Sequence, residues 1–244
     1  MDSGKKWALG GTLILIAAVG IRVGLIYRER HEAVAPTQTS STWTVSDDDM
    51  VFLKKTRPST LQDVKDLSGK PLWISAGGQM DYFPYAAHKV DYAHSAGILL
   101  GADRIDIKDA IEAVAPKAAT FRIPGGDRHV LFIFTKPGSQ AEYAVPIGYR
   151  DKGQYTFYVD EIFFYQDPHN LYKKWPSDTW KAIDEHRAIP GMNERQAQLS
   201  LGQVSSSQST DYGNRSVVYE HQGHPVTVTF EKDKATAIRE GGSL

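Results

Sequence analysis

The chain has no cysteine among its 244 residues. That excludes a disulfide framework, a thiol nucleophile and a lipid-modified N-terminal cysteine. It leaves the redox compartment open, since nothing here needs oxidation or is harmed by it. An excess of one charge is also missing: 28 Lys and Arg, scattered along the chain, stand against 29 Asp and Glu, a net charge of −1. A nucleic-acid partner is therefore not indicated, because binding one needs a basic patch or stripe. There is no internal repeat of long period. Neither Gly-x-x-x-x-Gly-Lys-Ser/Thr nor Gly-x-Gly-x-x-Gly occurs, so Pro124-Gly125-Gly126-Asp127 and Ala76-Gly77-Gly78 read as turns. A Gly-x-Ser-x-Gly elbow is absent, and so is any recognised metal spacing such as His-Glu-x-x-His. No feature of the sequence calls for a cofactor.

One apolar run is long. Trp7 to Tyr27 (WALGGTLILIAAVGIRVGLIY) follows Lys5-Lys6 and the tail 1–6. As a helix rising about 1.5 Å per residue it reaches roughly 30 Å, the thickness of a bilayer's hydrocarbon core. Its single charge, Arg22, stands close enough to the end for the side chain to snorkel. Three readings compete. A cleaved signal peptide needs small residues after a short apolar region, and Ala18-Val19-Gly20 offers them, but the apolar run continues past that point. A buried core helix would have a polar face, which this run lacks. An uncleaved transmembrane signal anchor over residues 7–27 fits best, with the lipid bilayer as its partner. Gly20-x-x-x-Gly24 has the spacing of close helix pairs, but Arg22 lies inside it and glycine is common in such spans. Lys5 and Lys6 before the run and Arg28 and Arg30 after it nearly balance under the positive-inside rule. The short N-terminal tail favours a cytoplasmic N-terminus, with the bulk of the chain outside the cytoplasm.

Residues 28–49 follow as a polar linker. The stretch EAVAPTQTSSTWTVSDDD is rich in Ser, Thr, Ala, Pro and Asp, and buries too little to offset the entropy of ordering. Residues 50–170 read as a β-rich domain, with apolar stretches divided by turn residues. Leu72 to Ser75 ends at Gly77-Gly78, and Gly97 to Leu100 ends at Gly101-Ala102-Asp103. His129 to Thr135, Tyr143 to Tyr149 and Tyr155 to Tyr165 read as an antiparallel meander turning at Lys136-Pro137-Gly138-Ser139 and Asp151-Lys152-Gly153. One helix is expected among the strands: Ile107, Ile111 and Val114 recur at i, i+4 and i+7, with Asp106 to cap and Pro116 to stop.

Residues 171–240 give a different order. Ser177-Asp178 can cap a short helix carrying Trp180 and Ile183. Asn193 then caps a second, with Gln196 completing a capping box and Gly202 ending it. Ser205 to Thr210 reads as a polar loop, and three antiparallel strands follow, over 216–220, 225–230 and a last one ending near Ile238. This order, with Gly191-Met192-Asn193, Ala197 and Leu199-Ser200-Leu201-Gly202 at its centre, resembles the SmpA/OmlA-type module of bacterial envelope proteins. Tyr219, Val226, Val228 and Phe230 correspond to its strands, and the resemblance covers residues 177–238. The sequence departs from the pattern at Gln203-Val204, where a proline is frequent. The resemblance implies a fold and, by analogy, a protein-binding role.

Among polar residues, Asp160, Glu161, Asp167 and His169 form the densest cluster. Carboxylates beside a histidine can perform acid–base work in a cleft. Against this, Asp167-Pro168-His169-Asn170 is turn chemistry, and Asp160 and Glu161 as strand neighbours would point to opposite faces. His221 and His224 flank a hairpin turn, and His88 and His94 bracket Asp91; neither pair shows a complete metal-ligand set. The aromatic segment Met80 to Tyr92 places Tyr82, Phe83, Tyr85 and Tyr92 where they serve either as a recognition surface or as core packing.

The expected fold class is therefore α+β: an N-terminal transmembrane helix, a β-rich antiparallel domain with one short helix, and a helix–helix–three-strand module. The expected role is an interaction or scaffold module exposed outside the cytoplasm in a bacterial envelope, with another envelope protein as partner and no enzymatic activity. The competing expectation is a membrane-tethered enzyme or metal protein that uses Asp160, Glu161, Asp167 and His169.

Overall fold

The strand Arg128–Thr135 (β6) is apolar on both faces. Val130, Phe132 and Phe134 point one way and Leu131 and Ile133 the other, and all five are buried. Such a strand belongs at the centre of a sheet with both faces covered. It pairs antiparallel with Arg104–Ala113 (β5) on one side and Glu142–Asp151 (β7) on the other. Asp81–Ala86 (β2) and Gln154–Phe157 (β8) extend β7, and Pro71–Ile74 (β1) extends β5. Phe163–Phe164 (β9) pairs with β1, while Lys89–Val90 (β3) and Gly97–Ile98 (β4) pair with β2. The main path is β3-β2-β7-β6-β5-β1-β9. The β7–β8 turn puts Lys152 (φ 48°) and Gly153 (φ 79°) in the left-handed region that a tight hairpin requires.

The principal core lies on the face of Val130, Phe132 and Phe134, with Ile105, Ile107, Val145, Ile147, Leu72 and Ile74. The helix Leu61–Lys65 (α1) adds Val64 to it, and starts at a capping box of Thr60 and Asp63. On the opposite face Leu131, Ile133 and Ala144 are covered by Tyr85, Val90 and Tyr92.

The C-terminal region builds a second sheet from Val204–Ser207 (β10), Ser216–Tyr219 (β11), Val226–Glu231 (β12) and Lys234–Glu240 (β13), in that order and antiparallel throughout. Val217, Tyr219, Val226, Val228 and Phe230 share its inner face. The helices Ser177–Asp184 (α4) and Glu194–Leu201 (α5) bury Trp180, Ile183, Ala197 and Leu201 against them. Two further helical turns precede these helices, Val159–Ile162 (α2) and Pro168–Leu171 (α3). As the sequence indicates, Asn193 caps α5. Its side chain accepts from Gln196 N at 2.8 Å, and Gln196 Oε1 accepts from Asn193 N at 2.9 Å.

The structure, a computed structural model, describes Arg22 and residues 50–76, 79–117 and 122–241, and residues 47–244 form one unit. The strand expected over 155–165 is broken by the helical turn α2, so Asp160 and Glu161 are helix neighbours and not strand neighbours, and β9 beyond it pairs with β1. The expected architecture is corrected in three further places. The short helix over 106–116 is instead part of β5, whose register shifts between Ile107 and Asp109. That bulge puts Ile107 and Ala110 on the principal core while Ile111 and Ala113 turn to the opposite face. A strand with one extra residue thus imitates helical spacing. Asp106, expected as a cap, pairs with Arg104 at 2.7 Å. Second, the C-terminal sheet has four strands, because part of the expected polar loop 205–210 is β10. All its side chains are exposed, so it carries no apolar alternation, yet its backbone pairs with β11. Third, no helix among the described residues is long and apolar enough to cross a membrane. The expected span over 7–27 lies, apart from Arg22, outside the described residues.

Candidate functional site

The four polar residues singled out in sequence separate into two structural sets. The Asp160 carboxylate accepts from the backbone N–H groups of Thr56 (2.9 Å) and Arg57 (2.8 Å) and from the Tyr165 hydroxyl (2.7 Å). Burial pushes its pKa up, but these donors, with the Thr56 hydroxyl, outweigh burial and hold it below the usual carboxylate value. Asp167 instead caps α3 through His169 N at 2.9 Å and faces His169 Nδ1 at 2.9 Å. Asp184 stands 3.1 Å from His169 Nε2, and the imidazole stacks on Trp180 with centroids 4.0 Å apart. Glu161 offers its backbone carbonyl to the Ser75 hydroxyl, and its side chain is exposed. Asp160 therefore fastens an N-terminal segment, while Asp167 and His169 terminate an aromatic stack. Among the described residues, no group of three or more His, Asp or Glu is arranged to hold a metal ion.

The aromatic candidates are placed inside. Tyr82 and Phe83 are buried. Tyr82 packs edge-on against Phe134 and Tyr143, and Phe83 packs against Tyr92. The Tyr92 hydroxyl meets Nδ1 of His129 at 3.2 Å, and Nε2 of His129 reaches the Ile123 carbonyl at 3.1 Å. These partners assign Nε2 as the protonated nitrogen, with Nδ1 accepting from Tyr92. Burial lowers the His129 pKa, against the opposing bonds to Ile123 and Pro124. Tyr85 is half-buried on the second face of the sheet.

A cavity with an aromatic wall lies elsewhere, on the seam between the two sheets. It holds about 370 Å³. Phe164 of β9, with Ser75 and Ala76 just after β1, comes from the side of the first sheet; Arg195, Gln198 and Leu199 come from α5, which packs on the second. Tyr172 and Trp175 form its floor, stacked at 4.3 Å and 17°, with Trp175 continuing to Trp180 at 5.1 Å. This ladder exists because Asp167 and Pro168 start α3 and its end turns sharply, Trp175 N donating to the Tyr172 carbonyl at 3.0 Å. Tyr212 and Leu53 complete the rim. The Tyr212 hydroxyl is pushed up to about 12 by burial and by the carboxylates of Glu194 and Asp233, so it stays neutral at physiological pH.

Close backbone approach holds the seam together. A Cβ on Gly101 would stand 2.0 Å from the Leu199 carbonyl oxygen, so only glycine fits there. Gln79 donates to the Leu201 carbonyl at 3.2 Å and accepts from Gln203 N at 3.3 Å. Arg122 reaches Glu220 at 2.9 Å and also bonds Gln203, while His186 meets Asp103 at 3.2 Å. A segment from Met50 to Arg57 edges the same seam: Val51 packs on the second core, Leu53 lines the cavity, and Thr56 and Arg57 are fastened by Asp160.

Chemically, the cavity is lined by aromatic faces, the guanidinium of Arg195, the amide of Gln198 and the hydroxyl-bearing Ser75, Tyr172 and Tyr212, a lining suited to gripping an apolar side chain and orienting its backbone. Sequence reasoning missed it because its walls come from six separate stretches between 53 and 212. The signal present was the concentration of Tyr172, Trp175 and Trp180 within nine residues. The buried ion pair of Glu194 with Arg215 was also not visible in sequence. Compared with protein-family models, characterised proteins and solved structures, the chain matches none.

Proposed function

We propose that the protein is an interaction module held at a lipid bilayer by residues 7–27, with residues 47–244 outside the cytoplasm of a bacterial cell. In this reading the seam cavity receives an apolar segment of an envelope protein. The observation that carries it is the cavity itself: stacked Tyr172 and Trp175 form its floor, Tyr212 and Leu53 its rim, and Arg195 and Gln198 one wall. Aromatic residues and arginine supply much of the binding energy at protein interfaces, because they bury large areas at low entropic cost. The apolar length of residues 7–27 supports the bilayer assignment. The reading of residues 177–238 as an SmpA/OmlA-like module is supported by two helices packed on one face of an antiparallel meander.

The competing enzyme or metal reading finds less support. Asp160 is occupied by Thr56, Arg57 and Tyr165, while Asp167 and His169 are joined to each other and to Asp184.

The test is site-specific photocrosslinking in cells, with the photoreactive residue at Tyr212 or Leu53. A discrete adduct from both positions, lost on Trp175→Ala, is the expected result. Absence of any adduct, or an adduct unaffected by Trp175→Ala, removes the cavity from the binding role. A stoichiometric metal in the purified chain that disappears on His169→Ala would favour the metal reading instead. Protease accessibility in intact cells, and again after the envelope is opened, decides which side of the membrane residues 47–244 occupy.

A further inference from the structure

The segment entering the fold presents apolar side chains to solvent. Met50 is 54% exposed, Leu53 42% and Phe52 92%. A phenylalanine almost wholly in water is costly, and this one is held there. Just before it Val51 is packed on the second core, and just after it the Thr56 and Arg57 N–H groups are bonded to Asp160. The Thr56 hydroxyl also bonds Tyr165 at 2.6 Å. These two fixings hold the backbone on either side of Phe52 and Leu53. Lys54, Lys55 and Arg57 follow directly and are all exposed. The result is a short, doubly fastened strap with an apolar tip and a basic flank.

We propose that this strap, Met50 to Arg57, is a contact for an anionic lipid surface. Phe52 and Met50 insert at the headgroup boundary, and Lys54, Lys55 and Arg57 meet lipid phosphates. An aromatic tip beside basic side chains is the chemistry of interfacial membrane binding, where apolar burial and attraction to anionic lipid act together. The proposal rests on the reading that residues 7–27 sit in a bilayer. Given that tether, only the 22 residues 28–49 separate its end from Met50 in the sequence, which keeps the bilayer within reach of the strap. Asp47 to Asp49, immediately upstream in sequence, are repelled by the same surface and offset part of the attraction of the basic flank. Docked in this way, the strap sets the orientation of the seam cavity, since Leu53 belongs to both.

The absence of cysteine permits a direct test on the full chain. Met50→Cys is labelled with an environment-sensitive fluorophore, and the protein is reconstituted into phosphatidylcholine vesicles with or without phosphatidylglycerol. Brominated lipids serve as quenchers, and Gln140→Cys, in the exposed β6–β7 turn, is the labelled control. The expected result is quenching at position 50 that is strong only with phosphatidylglycerol and absent at 140. Docking should weaken about fivefold for each of Lys54→Ala and Lys55→Ala and be lost on Phe52→Ser. Quenching no greater at 50 than at 140, or indifferent to phosphatidylglycerol and to Phe52, overturns the proposal. So does a shift of the label that depends on protein concentration in lipid-free detergent, which would make the strap a contact between copies of the chain. A chain that leaves the vesicles in an alkaline wash refutes the tether, while the label read before the wash still decides the strap.

Discussion

Breaking the Glu194–Arg215 pair should unfold the C-terminal half more easily than any change to an exposed charge. Glu194 is 2% exposed at the start of α5. Its carboxylate accepts from Arg215 Nε at 3.1 and 3.2 Å, from Arg215 Nη2, and from Gly213 N at 2.9 Å. Arg215 is better connected to the outside: it donates to the Ser209 carbonyl at 2.9 Å and lies 5.5 Å from the Tyr212 ring centre. Arg215→Ala therefore strands a buried carboxylate and should cost about 3–5 kcal/mol. Glu194→Ala leaves a guanidinium that can turn towards water, together with one N–H without its acceptor, and should cost about 2–3 kcal/mol. The double replacement Glu194→Leu with Arg215→Met removes both charges and should cost much less than the sum, a coupling of at least about 2 kcal/mol. Urea unfolding followed by tryptophan fluorescence measures this directly, because Trp175 and Trp180 lie in the same core. Two single variants each costing under about 1 kcal/mol, the range of an exposed pair, would show that Glu194 reaches water and that the burial argument is wrong.

Other perturbations test separate parts of the fold. Because burial lowers the folded-state pKa of His129, an unfolded chain binds a proton near pH 6.5 that the native protein resists. Stability should fall as pH drops below about 6.5, by up to about 1.4 kcal/mol per pH unit from this histidine; His129→Gln should flatten that slope, and an unchanged slope refutes the assignment. His221, also lowered by burial, acts in the same direction and remains in that variant. Gly101→Ala should destabilise by about 1–3 kcal/mol or more, because its Cβ would meet the backbone of Leu199 rather than a movable side chain. Gly125→Ala, where the new Cβ meets only Ala115 Cβ at 3.4 Å, should be close to neutral in the same thermal melt. Asp160→Ala should raise limited proteolysis between residues 50 and 57 about tenfold, equivalent to roughly 1.4 kcal/mol of local stability. In the unmodified chain the same release should appear on acidification: the strap is fully fastened above the unfolded carboxyl value near 3.9 and freed as pH falls through the lowered folded value.

What could be read from sequence was whatever depends on neighbours along the chain. The Asn193–Gln196 capping box, the Asp151-Lys152-Gly153 hairpin turn and the Asp167 turn all form between residues a few positions apart, and each appears as expected. Two of the expectations that failed on described residues, the helix over 106–116 and the loop over 205–210, did so for a shared reason. In β5 a bulge converts strand alternation into helix-like spacing, and in β10 the strand carries no apolar pattern at all. Both are strands because a partner strand supplies hydrogen bonds, which no local signal records. The aromatic segment 80–92 was legible as either a recognition surface or core packing, and the structure places Tyr82 and Phe83 in the core, because β6 and β7 come to lie beneath them.

The sequence alone therefore determined the α+β class, the antiparallel meander of the first sheet, the capped helix of the second, and the long apolar run at the N-terminus. Only the tertiary structure decided which polar groups are committed. Asp160 fastens a strap whose residues lie more than a hundred positions away, and Glu194 meets Arg215 across the second core. It also decided where a partner has room to bind. The seam cavity draws its wall from residues scattered between Leu53 and Tyr212, and the packing of one sheet's core against the other's brings them together. Burial and long-range contact are properties of the folded chain, and no spacing of residues along the sequence encodes them locally.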